Sequence, residues 1–166
     1  MIRRLDSEKD KECLIEAYSW DKSHPSWYRD MDEVWGPHTV EDFIELAKDS
    51  FNMFIGVFDD QRMIGLTLFA WNNGKLEAHI YCPRDVNQKL LIPNLLNLRN
   101  QLFADLKITE IYVWVAKKNI PTRKLCAIMG FHDTGLRIIK GTYHSRVIEW
   151  VNLSVPREVV AMSKVA

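Results

Sequence analysis

The chain has 166 residues, 22 Lys+Arg against 22 Asp+Glu, 47% hydrophobic residues, and only 7 Gly and 6 Pro; this suits one globular domain with a full core and excludes a fibrous or low-complexity protein. No apolar run approaches the roughly 18 residues of a membrane span, the start Met1-Ile2-Arg3-Arg4-Leu5-Asp6 does not read as a signal peptide, and Cys13, Cys82 and Cys126 form neither a CxxC pair nor an even framework, so free thiols in a reducing, cytoplasmic setting are expected. Zero net charge hides an asymmetry, because residues 1–60 hold 7 basic and 15 acidic residues and residues 61–166 hold 15 and 7.

In chain order, residues 2–5 read as a short strand. Asp6 or Ser7 can cap a helix in which Cys13, Leu14, Ala17 and Tyr18 recur at helical spacing. Residues 20–38 lose periodicity and carry Trp20, Trp27, Tyr28 and Trp35, which predicts a loop or broken helix. Thr39, with an acid at Asp42, opens a second helix to about Lys48. Residues 54–58 and 63–71 predict a hairpin around Asp59–Arg62. After a second turn, residues 76–82 alternate, with Leu76, Ala78 and Ile80 on one face and Glu77, His79 and Tyr81 on the other.

Pro83 ends that strand. Leu90, Leu91, Leu95, Leu98, Leu102 and Phe103 predict a long helix with Pro93 near its first turn. Ile108–Ala116 is a strongly apolar, β-branched strand. Pro121 opens a helix with Leu125, Ile128 and Met129 expected inward and Gly130 placed to end it. Residues 132–140 and 145–153 predict a closing strand pair, and 156–166 a weakly structured tail. The expected fold is therefore α/β, with a mixed sheet of six to seven strands and helices on both faces, in one domain over 1–155. The histidines show no metal-ligand spacing, so no metal is expected. A nucleic-acid partner is disfavoured, since such domains carry net positive charge and a dense basic stripe.

This element order, together with Asn119-Ile-Pro-Thr-Arg-Lys-Leu125-Cys126-Ala-Ile-Met129-Gly130-Phe131, resembles the GNAT N-acetyltransferase family. That family writes the segment as Asn-x-x-Ala-x-x-Leu-Tyr-x-x-x-Gly-Phe. The resemblance implies that the fourth and fifth strands splay apart and that the backbone of Ile80, Tyr81 and Cys82 meets the pantetheine arm of acetyl-CoA like an added strand. It also implies that Lys89, Leu90 and Leu91, at the start of the next helix, meet the diphosphate, and that Asn119 belongs to the cofactor site. Glu77 stands where the family often places its base, and Cys126 where it places a tyrosine acid.

Two departures bear on activity. The phosphate loop should read Arg/Gln-x-x-Gly-x-Gly/Ala, but Val86-Asn87-Gln88-Lys89-Leu90-Leu91 has no glycine, and the side chains of Asn87, Gln88 and Leu91 are expected to crowd the backbone approach that glycines permit. A thiol at Cys126 is either a weak acid or a small core residue. Glu77 is either a base or a solvated carboxylate, and His79 beside it either catalytic or structural. The Tyr112-Val113-Trp114-Val115 strand, the Asn119 turn and the Gly130-ended helix are also similar to GNAT-like internal virion proteins of short-tailed phages. The resulting expectation is a non-catalytic structural or interaction protein of cytoplasm or virion, with acetyl-CoA affinity too poor for use. It would contact a protein partner or a second copy through the 20–35 aromatic segment and the 156–166 tail. The alternative is an acetyl-CoA-dependent N-acetyltransferase acting on an amine.

Overall fold

The computed structural model describes residues 1–23, 37, 39–72, 74–116, 119–140 and 143–151. Its elements are β1 (Ile2–Arg4), α1 (Lys11–Ser23), α2 (Val40–Lys48), β2 (Asn52–Asp59), β3 (Arg62–Asn72), β4 (Lys75–Tyr81), α3 (Gln88–Leu106), β5 (Glu110–Ala116), α4 (Ile120–Ile128), β6 (Phe131–Lys140) and β7 (Tyr143–Val151). The strands form one seven-stranded sheet in the order β1-β2-β3-β4-β5-β7-β6. All pairings are antiparallel except β4 with β5, which is parallel. The mixed sheet and the adjacency of β4 and β5 agree with the sequence reading.

Strand alternation sends apolar side chains to both faces, and each face takes a helix pair. On one face Leu14, Ala17 and Trp20 of α1 and Phe43 of α2 pack on Phe54, Phe58, Leu66, Leu68 and Tyr81. Phe43 is fully buried, edge-on to Phe54 and to Tyr81 at 5.2 Å between ring centroids in each case, a favoured arrangement for aromatic quadrupoles. On the other face Leu91, Leu95, Leu98 and Leu102 of α3 and Cys126 of α4 cover Leu76, Ala78, Ile111, Val113 and Val115. Arg99 of α3 ties the two helices together by donating from Nη1 to the Met129 carbonyl, at 3.2 Å, just past the end of α4. A cation there suits the negative pole of the helix dipole.

Several local expectations change. Asp6 does not cap α1. Its carboxylate accepts from Glu8 N–H and Lys9 N–H at 3.0 and 2.9 Å, closing a turn, and α1 starts only at Lys11. Arg3 then clasps Asp10 from Nη1 and Nη2 at 2.9 and 2.7 Å and holds the Asp10 carboxyl below its ordinary range. Trp20, read as part of an aromatic loop, lies in α1 and is buried; the loop read as 20–38 otherwise falls almost wholly outside the described residues, as does the 156–166 tail. Thr39 and Asp42 form the capping box that their spacing suggests, at 3.1 and 3.0 Å. Pro93 falls at the sixth residue of α3, not in its first turn, because Asn87 starts that helix at Gln88. Ile128, expected inward, is 58% exposed, and Cys126 takes the inward position. Gly130 has φ +86°, the left-handed conformation that ends a helix at low cost to glycine.

Gly65 sits where β3 passes under α3. A Cβ placed there would lie 2.7 Å from Leu91 Cδ1, and Leu91 is 1% exposed within the core. Gly65→Ala is therefore expected to destabilise by about 1–3 kcal/mol, the range for overpacking a tight core. Urea unfolding checks this: the midpoint should fall with the slope unchanged, and an unchanged midpoint would show that Leu91 yields freely.

Candidate functional site

The site begins with an interrupted pairing. β4 pairs with β3 along its whole length, from Asn72↔Lys75 to Leu66↔Tyr81. On its other side it pairs with β5 at Glu77↔Tyr112 alone. Beyond that point the two parallel strands lack ladder pairing, so the sheet opens toward their C-terminal ends. The direction of the backbone groups follows from the hairpin. Its two-residue turn makes Asn72 and Lys75 an exchanging pair, as Glu77, His79 and Tyr81 then are with their partners on β3. The N–H and C=O of Ala78 and Ile80 consequently turn toward β5. Of the three residues expected to present backbone to a ligand, Ile80 has the right orientation by this alternation, while Tyr81 faces β3 and packs its ring on Phe43.

The loop after β4 leads into α3, whose N-terminus is closed by its own chain. Asn87 is the N-cap, and its side-chain oxygen accepts the Lys89 N–H at 3.1 Å. Its carbonyl accepts from Leu90 N–H and Leu91 N–H, each at 3.0 Å. A helix starts with four N–H groups lacking intrahelical partners ahead of them; here two of these, Lys89 and Leu90, already donate to Asn87, while the Leu91 N–H makes the first ordinary intrahelical bond. The crowding expected from side chains is only half present. Asn87, Gln88, Lys89 and Leu90 are exposed, but Leu91 points into the core and reaches no ligand at the surface. What opposes an anion at this helix start is the asparagine cap rather than bulk at Leu91.

The candidate acid–base groups are spread apart. Glu77 is half-buried, and its Oε1 accepts from Asn72 Nδ2 at 3.3 Å. His79 lies one pleat further on the same face, where burial holds its imidazole below the ordinary value against a smaller upward pull from Glu77. Cys126 lies on the opposite face, 1% exposed among the α3 leucines, and burial pushes its thiol up to about 12. Cys82 is pushed up to about 11 by the same cause. Asn119 is buried and accepts the Thr122 N–H at 3.1 Å as N-cap of α4. No group of three or more His, Cys, Asp or Glu suited to a metal occurs among the described residues.

The sequence reading missed a buried pair beside Glu77. Tyr112 donates its hydroxyl to Glu110 Oε2 at 2.6 Å, and Glu110 Oε1 is buried without a hydrogen-bond partner among the described residues. The Lys75 ammonium stands 4.7 Å from the Tyr112 ring centre. The available signal was the i, i+2 spacing of Glu110 and Tyr112 on a strand, which puts both on one face.

Thiolate is the reactive form of cysteine, and at pH 8 a thiol with a value near 12 is ionised to about one part in 10⁴. Iodoacetamide should therefore label Cys13, which is half-exposed, well before Cys82, and should leave Cys126 unmodified until the protein unfolds. Mass spectrometry of a labelling time course reads the order; early modification of Cys126 would show that its surroundings open readily.

No protein-family model and no curated protein sequence matches the chain. Solved structures do match it. The spermidine N-acetyltransferase of Vibrio cholerae in complex with CoA and spermine is 20% identical, with 91% of this chain and 94% of that one covered at a TM-score of 0.67. The ribosomal-protein-S5-alanine acetyltransferase of Vibrio fischeri is 15% identical, with 93% and 94% covered and a TM-score of 0.67. A GNAT-family acetyltransferase of Bacillus anthracis is 15% identical, with 90% and 93% covered and a TM-score of 0.67. With the parallel β4–β5 pair opening past a single bridge and helices on both sheet faces, the chain has the GNAT acetyltransferase fold.

Proposed function

We propose that this chain uses the GNAT fold as a binding scaffold and not as an acetyltransferase. The observation that carries this reading is the self-capped start of α3. A diphosphate draws its hold from helix N–H groups and from the positive end of the helix dipole. Here the Lys89 N–H is held by Asn87 Oδ1 and the Leu90 N–H by the Asn87 carbonyl. An incoming phosphate must displace that cap, and each charge-assisted hydrogen bond forgone weakens binding by about 1.5–3 kcal/mol. Exposed Lys89 and Arg84 offer charge, but exposed ionic contacts recover little. The buried Cys126 thiol argues in the same direction, because it is shut away from a leaving thiolate. The similarity of the 112–130 segment to phage internal virion proteins makes a particle-associated scaffold a fitting setting.

A second reading is favoured by the retained gap between β4 and β5 and by half-exposed Glu77 at its closed end. In that reading the chain transfers an acetyl group from acetyl-CoA to an amine, with Glu77 taking the amine proton and water or Cys126 returning one to the thiolate. Titration calorimetry with acetyl-CoA separates the two. The scaffold reading expects no saturable heat up to about 1 mM ligand, whereas a dissociation constant in the micromolar range, about −8 kcal/mol, would overturn it. In that event Glu77→Gln should lower the acetylation rate by about 10²-fold or more.

A further inference from the structure

The charge asymmetry of the sequence becomes an asymmetry across the sheet. α1 and α2 pack on one sheet face, and α3 and α4 on the other. The outer surface of α1 exposes Glu12 and Glu16 against Lys11. That of α2 exposes Glu41, Asp42 and Glu45 against Lys48. The opposite layer reverses the sign. α4 holds Arg123 and Lys124 and no carboxylate, and α3 holds Lys89 and Arg99 against Asp105. Glu12, Glu16 and Lys124 are in no ion pair among the described residues.

Each layer also exposes apolar side chains among these charges. On α1, Ile15 is 43% exposed and flanked by Glu12 and Glu16. On α4, Ile120 and Ile128 are 46% and 58% exposed and stand one turn to either side of Lys124. One surface thus sets an apolar side chain between two carboxylates, and the other sets a cation between two apolar side chains. Apolar residues inside a charged rim are the anatomy of a contact surface, and these two surfaces match each other in sign. The chain has no net charge at pH 7, which removes the self-repulsion that keeps copies apart. Because one chain carries both halves of the match, a second copy satisfies it.

We propose that copies of this chain associate head to tail, the outer surface of α1 and α2 on one copy docking on the α4 surface of the next. Ile15 is then set against Ile120 and Ile128, and the α1 carboxylates against Lys124. The contact joins unlike surfaces on opposite sides of the sheet, so it does not close as a two-fold dimer does and extends copy by copy. Exposed ion pairs around a few isoleucines make each contact weak, which suits reversible stacking at high local concentration. This stacking does not depend on what occupies the β4–β5 opening, so it and the scaffold reading fail separately.

Sedimentation equilibrium of the full chain from about 10 μM to 1 mM tests it. The weight-average mass should rise with concentration past twice the 19.5 kDa of one chain, and about 0.5 M sodium chloride should weaken association several-fold. Ile15→Asp and Ile128→Asp, both at exposed positions, should each weaken association about tenfold or more with the melting temperature nearly unchanged. Mixed in equal amounts, the two variants should form a one-to-one dimer and stop, because each keeps the surface that the other has lost. A mass that stays at one chain up to about 1 mM, a plateau at two chains in the unaltered protein, or a mixture that associates no more than either variant alone overturns head-to-tail stacking.

Discussion

β4 is in register with β3 at every residue and paired with β5 at one position only. That imbalance needs support, because two parallel strands held in one sheet ordinarily zip together. The support comes from both sides. α3 lies across the β4 and β5 side chains with four buried leucines, and β7 holds β5 from its far edge along all seven residues. Each strand is thus fixed by something other than its neighbour across the gap. The opening is a property of the packed core, not of a flexible loop.

Whether such an opening serves a cofactor depends on what stands at its mouth. α3 begins with an asparagine that satisfies the helix's own donors, which is a good solution for stability and a poor one for anion binding. A glycine-rich start leaves those donors for a ligand at the expense of local order. Asn87 therefore acts on both sides of the functional question: it stabilises the helix that keeps the gap open, and it occupies the groups that would retain a diphosphate there. Gly65 lies beneath the same helix, at a close approach between β3 and Leu91, whereas residues 86–91 contain no glycine.

Much of this was legible in the sequence, and the exceptions have physical causes. Among the described residues, apolar runs bounded by turn residues located β2 and β3, alternation located β4, a β-branched run located β5, and helical spacing of apolar residues located the helices. The splay and its position on β4 came only through resemblance to a known family, since periodicity carries no information about missing ladder bonds. Trp20 was misplaced because aromatic density looked like a loop, while its spacing from Leu14 and Ala17 fits the same buried helical face. Leu91 was assigned to the phosphate surface because the family register puts a loop residue there, but its 1% exposure belongs to the core. Glu110 and Tyr112 escaped notice because a polar pair inside an apolar strand reads as an irregularity until Tyr112 is found donating to the carboxylate.

Amide hydrogen exchange over residues 75–91, with and without saturating acetyl-CoA, tests the central claim most directly, because it reads the gap and the helix start at once. The account predicts that the ligand leaves exchange unchanged at Ile80 and across Gln88–Leu91, with the Lys89, Leu90 and Leu91 amides already protected in the free protein by Asn87. New protection at Ile80 together with altered exchange at Gln88–Leu91 on adding acetyl-CoA would contradict it, showing that the cap yields and that the opening is a cofactor site.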